Sequence, residues 1–127
     1  MAACGDTFFF GDDNDPTGHL QIVITEPTDS GHVITVSLTT RHKKSDAMVP
    51  LNVGDHPYIK RPSVISFAYA KVRTTREIDG VIANGDAKAH APMDEKFLRR
   101  CRSALVESEF TPYEVLDFFA GLEKYKR

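Results

Sequence analysis

The sequence predicts a mainly β chain ending in helices: a strongly bent antiparallel sheet, or a small β-barrel, closed by two C-terminal helices. Three observations carry this expectation. Short runs rich in β-branched residues recur between turn signals through the first 78 residues. After residue 94 the apolar spacing changes from a period of two to a helical one. The chain has 127 residues, enough for one domain with its own core. A single domain over 1–127 follows, with a β region at 1–78, a connecting loop at 79–93 and two helices within 94–127.

Thr7, Phe8, Phe9 and Phe10 form a candidate first strand. Residues 11–18 read GDDNDPTG, turn chemistry with no apolar residue, so a loop is expected there. The run 19–25 (HLQIVIT) is β-branched and apolar, and Gly31 ends a tight connection after it. Residues 32–39 then alternate, with Ile34, Val36 and Leu38 opposite Val33, Thr35 and Ser37. A short glycine-containing turn between two such runs predicts a hairpin. The loop 41–46 is charged, and 47–51 (AMVPL) is a short strand that Pro50 confines to an edge or a bulge. Residues 63–73 supply one or two more strands. A sheet built from strands this short must curl to bury one face.

From Asp94 onward, Phe97, Leu98, Cys101, Leu105 and Val106 fall on one helical face. The second helix starts at TPYE (111–114), where Thr111 is the expected N-cap, Pro112 the first-turn proline and Glu114 the capping-box glutamate. Val115, Leu116, Phe119 and Leu122 form its expected buried stripe.

Composition narrows the function classes. Hydrophobic residues make up 41% and charged residues 27%, an ordinary globular balance. No apolar run approaches the roughly 18–20 residues that a bilayer crossing requires. The start, MAACGD, lacks a basic and apolar leader, so a cytoplasmic location and no membrane partner are expected. Cys4 and Cys101 are expected as free thiols, one disulfide between them being the alternative, with Cys101 in the core. No cofactor or metal is expected, because the sequence holds no zinc-ligand spacing and no GxGxxG, P-loop, GxSxG or HExxH motif. Net charge is −2, yet cations concentrate at Arg41, Lys43 and Lys44 and again at Lys60, Arg61, Lys71, Arg73 and Arg76. Such an uneven field steers anions even when the total charge is small.

Two stretches carry candidate chemistry. Residues 54–63 (GDHPYIKRPS) gather Asp55, His56, Tyr58, Lys60, Arg61 and Ser63 in one loop. Histidine moves protons near neutral pH, and Lys or Arg holds phosphate. The plain alternative is a capped turn leading into a strand. The second stretch is LTTR (38–41), where Thr39, Thr40 and Arg41 close a strand beside a basic loop. RNA cleavage through the 2′-hydroxyl needs a base, a cation for the developing phosphorane charge and an acid for the leaving oxygen. Arg41 suits the second need, and Thr39 or Thr40 can orient the phosphate. The alternative is a pair of ordinary β-forming threonines before a solvated loop. His19, at the start of a strand, is a candidate general base. Lys43, Lys44, His56, Tyr58, Lys60, Arg61 and Ser63 are candidate substrate-binding residues.

The stretch 19–40, HLQIVITEPTDSGHVITVSLTT, resembles the core hairpin of the PemK/MazF-like toxins. In that family a strand of the type RPALVLS is followed by a turn and a strand ending PLTT. LQIVITEP matches the first and VITVSLTT the second, and 62–72 (PSVISFAYAKV) resembles a later family strand. The resemblance covers about residues 19–75. It implies a small SH3-like barrel with a terminal helix, often dimeric, that is paired with an antitoxin and cleaves single-stranded RNA without metal. It puts the family's threonine at Thr39 or Thr40. The family's arginine precedes the first strand, where this chain has Gly18-His19. His19 and Arg41 are the residues at hand to replace it. Three readings follow: an endoribonuclease of toxin type, a non-catalytic module that binds RNA or a protein partner, and, ranked last, a metal-assisted hydrolase using His19, Asp55 and His56.

Overall fold

The structure, a computed structural model, describes residues 2–10, 19–40, 49–52, 54–57 and 59–125. Its strands are β1 (Thr7–Phe10), β2 (Leu20–Val23), β3 (His32–Thr40), β4 (Pro50–Leu51), β5 (Ser63–Thr74) and β6 (Ala87–His90). Its helices are α1 (Thr75–Ala83), α2 (Glu95–Glu107) and α3 (Tyr113–Ala120). The six strands form one antiparallel sheet in the order β4-β5-β3-β2-β1-β6.

The sheet curls into a half-barrel and does not close into a barrel. One source of the bend is visible in the β3–β5 register. Thr35 pairs with Lys71 and Ser37 with Ser66, so Phe67, Ala68, Tyr69 and Ala70 span what Val36 alone spans on β3. Extra residues on one strand bend it and increase its twist.

Alternation along β3 separates two faces. Ile34, Val36 and Leu38 join Phe9, Leu20, Ile22, Ile65 and Phe67 in the larger core. That core also takes Phe97, Leu98, Cys101 and Leu105 from α2 and Val115 from α3. Val33 faces the other way, into a smaller cluster with Phe8, Val23, Ala87 and Ile78 of α1. Burying large side chains at about 1.5–3 kcal/mol each makes both faces adhesive. The sheet therefore has apolar cover on both sides at its α1 end.

The structure corrects the sequence reading between residues 75 and 93. A loop was expected over 79–93, but α1 occupies most of its first part and β6 its second. A capping box fixes the start of α1: Thr74 Oγ1 accepts from Glu77 N at 3.1 Å, and Glu77 Oε1 accepts from Thr74 N at 2.7 Å. The helix follows β5 with no intervening loop, so the described residues hold three α-helices, not two. β6 has weak strand propensity (AKAH) and exists because it lies along β1, from Thr7↔His90 to Phe10↔Ala87.

Smaller corrections fall at the helices. Asp94 caps α2, its Oδ1 accepting from Phe97 N at 2.8 Å. Val106 points outward and is 56% exposed, although it was placed on the apolar face. At α3 the N-cap is Pro112, with no side-chain cap. The Thr111 hydroxyl instead donates to the Leu105 carbonyl at 2.7 Å and ties the α2–α3 turn together. Of the expected stripe, only Val115 is fully buried, while Leu116, Phe119 and Leu122 are half-buried. Cys4 and Cys101 are free thiols, and burial pushes them up to about 11 and about 12.

Candidate functional site

The polar part of the second sheet face is the candidate site. Its layout follows from register. Phe8 pairs with Gln21, Gln21 with Ser37 and Ser37 with Ser66, which makes one row across β1, β2, β3 and β5. Val23, Thr35 and Lys71 make the next row toward α1. In the opposite direction Thr39 pairs with Val64. Antiparallel partners step in opposite directions, so continuing the β1–β2 and β2–β3 registers brings Phe10 and His19 level with Thr39. Thr39 is half-buried and His19 exposed. Leu38 packs in the core with α2, so alternation turns Thr39 to the face away from that helix.

The two candidate stretches meet at this end of the sheet. Thr40 pairs with Ser63, and Leu51 pairs with Ser63 from the other side. The Ser63 hydroxyl is buried and donates to the Arg61 carbonyl at 2.9 Å, which fixes how the preceding loop leaves the strand. Lys60 and Arg61 are exposed there. The structure thus brings Thr39, Thr40, Ser63, Lys60 and Arg61 to one corner.

His56 and Asp55 do different work. His56 is 3% exposed, and its Nε2 lies 2.6 Å from the Ala91 carbonyl oxygen. A carbonyl only accepts, so Nε2 carries the proton in this contact. His56 thereby joins the 54–57 turn to the segment after β6. Asp55 Oδ2 accepts from Asn52 N at 2.8 Å, capping its own turn. Among the described residues no group of three or more His, Cys, Asp or Glu is placed to hold a metal. Arg41, Lys43, Lys44 and Tyr58 lie outside the described residues.

Gln21 was not singled out from the sequence, and Lys71 and Arg73 were read there only as part of the basic middle of the chain. Gln21 is 8% exposed, with Nε2 donating to Ser37 Oγ at 2.9 Å. Its Oε1 is buried and, among the described residues, has no hydrogen-bond partner. A buried polar atom left unsatisfied costs about 1–3 kcal/mol, so it asks for a reason. Arg73 sits on β5 opposite Val33. Its Nε donates to Thr35 Oγ1 at 3.1 Å, and its guanidinium lies 5.5 Å from the centre of the Phe10 ring. Two strands separate β5 from β1, which on a flat sheet would put their backbones about 14 Å apart. The contact shows how far this face curls. Lys71 is exposed one row from Gln21. The signal for Gln21 was a polar residue inside the apolar run LQIVI, and for Arg73 a cation two residues from Lys71 on one strand face.

A concavity of about 400 Å³ lies elsewhere, between α2 and the C-terminal segment, with Arg102, Val106, Phe119 and Tyr125 in its walls. Arg102 is already engaged there. Its Nη1 donates to the Ile24 carbonyl at 2.9 Å, its Nη2 to Glu95 Oε1, and its guanidinium lies 4.7 Å over the Tyr125 ring.

No protein-family model matches the chain, and no curated protein matches it. Among the described residues no helix is long and apolar enough to cross a membrane.

Proposed function

We propose that the chain is a PemK/MazF-like endoribonuclease that binds single-stranded RNA along the polar sheet face and cleaves it without metal at the His19–Thr39 end. One observation supports this above the others. Thr39, on the face turned from α2, is level with His19 at the corner where Lys60 and Arg61 emerge. In this reading the His19 imidazole takes the proton of the 2′-hydroxyl. The 2′-oxygen bonds to phosphorus, and the bond from phosphorus to the 5′-oxygen breaks. The leaving oxygen takes a proton from solvent, and the products are a 2′,3′-cyclic phosphate and a 5′-hydroxyl. Thr39 Oγ1 donates to a non-bridging oxygen, while Lys60 and Arg61 offset the phosphorane charge, the role for which electrostatic preorganisation counts most. The protein works in the cytoplasm as a homodimer held in check by an antitoxin, as in the family it resembles.

The test is cleavage of a labelled single-stranded RNA in EDTA. Cyclic-phosphate product is expected, with His19→Ala about 100-fold slower, the usual worth of one general base. Thr39→Val is expected to cost about 100-fold through the lost donor. Uncut RNA at protein excess, with EDTA and again with magnesium, would remove the reading.

A second reading, a non-catalytic module that binds RNA or a protein partner, is favoured by one departure: Gly18-His19 stands where the family has its arginine. RNA bound with a salt-dependent affinity but never cut would select it.

A further inference from the structure

We propose that Tyr69, with Lys71 and Arg73 beside it on β5, is a base-stacking subsite for single-stranded RNA, the phenol ring taking one base and the two cations the flanking phosphates. This rests on the reading that the polar face binds single-stranded RNA, and it extends the bound strand along β5 from the His19–Thr39 end.

Tyr69 is 69% exposed, although Phe67 and Ala70 on either side of it are buried in the larger core. It sits in the bulge where four residues of β5 span what Val36 spans on β3. Bulges beside functional sites re-aim a side chain. This one carries an aromatic ring out of the core and into water. Ala70 and Val72 pack toward the larger core, so alternation turns Tyr69, Lys71 and Arg73 to the opposite, polar face. The Arg73 bond to Thr35 shows the same direction. Successive members of this row are two residues, about 7 Å, apart along the strand. Lys71 is exposed and Arg73 half-buried, and among the described residues neither is paired with a carboxylate.

An exposed ring flanked by free cations is the combination that binds single strands. Every base has a π-face to stack, and the cations hold the backbone. Among the described residues, Val106, Phe110 and Tyr113 are also large, apolar and exposed. Their sequence neighbours are Glu107, Glu109 and Glu114, whose charge repels a polyanion. Tyr69 has Lys71 and Arg73 instead. The row also lies on a path from the cleaving end. Thr39 pairs with Val64 and Thr35 with Lys71, so about 14 Å of β3 separates the two places. A strand laid along β5 meets Lys60 and Arg61 first and Tyr69, Lys71 and Arg73 further on.

The test is binding of a labelled 2′-O-methyl RNA 12-mer, which keeps bases and phosphates and cannot be cut through its 2′-oxygen. Anisotropy is read from low to high salt. Tyr69→Ser is expected to weaken binding about 10-fold, the usual worth of one stacked base, and to leave the slope of log affinity against log salt unchanged. A ribose–phosphate strand without bases is expected to bind the variant and the unaltered protein equally. Lys71→Gln is expected to lower the magnitude of the slope by about 0.7, the value of one single-strand phosphate contact. The chain has no Trp, so Tyr69→Trp introduces a sole indole. Its fluorescence is expected to be quenched by the 12-mer and not by the strand without bases, with affinity kept. Unchanged affinity in Tyr69→Ser, or an unquenched indole with RNA bound, overturns the subsite and leaves the nuclease reading standing. Loss of a dimer in Tyr69→Ser with RNA binding intact assigns the ring to a protein interface and overturns the subsite as well. RNA neither bound nor cut by the unaltered protein overturns both.

Discussion

Arg102 and Arg73 each lay a guanidinium over an aromatic ring, at 4.7 Å from Tyr125 and 5.5 Å from Phe10. Their remaining contacts differ. Arg102 also meets a carboxylate, a backbone carbonyl and, at 3.8 Å, the Cys4 sulfur. Its side chain is 11% exposed. It holds together β2's continuation at Ile24, the N-terminal segment at Cys4 and the C-terminal Tyr125. Arg73 meets one hydroxyl and one ring and is left half-buried. A cation most of whose donors are used inside the fold serves stability, while one with more donors to spare can serve a ligand.

The largest effect tests the first half of that contrast. Arg102→Ala is expected to destabilise the fold by about 3 kcal/mol, because it strips a buried carbonyl and a carboxylate of a shared charged donor. A urea midpoint shift with unchanged m-value would measure it. Glu95→Gln should cost under about 1 kcal/mol, since Glu95 is 57% exposed and its pairing is screened by water. Equal losses in the two variants would mean the ion pair, not the convergence of contacts, is what counts.

The regions that carry this comparison were unequally legible in the sequence. The β2–β3 hairpin, the Pro50 edge strand and the bent sheet follow from alternation and turn residues, which act locally. α1 carried a readable T-x-x-E capping box at Thr74 and Glu77, but it begins directly at the end of β5, and Gly80 weakens its pattern. β6 was not legible, because its formation depends on β1 more than 70 residues earlier in the chain. At the site, Thr39, His19, Lys60 and Arg61 were found as residue types beside strand ends. Gln21 became visible only in the structure, and Arg73, legible in the sequence as one cation of the basic middle, took its place on this face only through register and curl, which local spacing does not write.

A middle-sized effect sharpens the Arg102 side. The Tyr125 hydroxyl accepts from Glu26 N at 2.8 Å, and its ring stacks on Phe119 with centroids 5.8 Å apart. Tyr125→Phe keeps the ring under Arg102 and removes only the hydrogen bond, so a loss of about 1 kcal/mol is expected. The pH dependence follows from burial, which raises the Tyr125 hydroxyl above its usual 10.0. The unfolded chain then ionises first. Stability that is complete below pH 10 is lost as pH rises from there through the folded-state value. Cys4 and Cys101, raised from 9.0 to about 11 and about 12, extend the loss downward to begin near pH 9. Tyr125→Phe is expected to flatten the upper part of this decline and leave its onset near pH 9 in place. A decline of unchanged steepness above pH 10 in unfolding titrations would place the Tyr125 hydroxyl in water.

The smallest expected effect decides the other half of the contrast. Arg73→Met keeps an apolar stem to lie against Phe10 and loses the charge and the bond to Thr35. An exposed cation–π contact is worth about 0.5–1 kcal/mol. Among the described residues, removing the cation orphans no carboxylate. A net cost near 0.5 kcal/mol is therefore expected in urea unfolding, several times less than for Arg102→Ala. Thr35, fully buried, loses one donor to its oxygen in the variant, and Thr35→Val made together with Arg73→Met isolates that contribution. If Arg73→Met alone cost as much as Arg102→Ala, the arginine on β5 would be holding the curled face together. Its terminal donors would then be incidental to the fold's geometry, and the unpartnered Gln21 oxygen beneath it would be the cost of that curl.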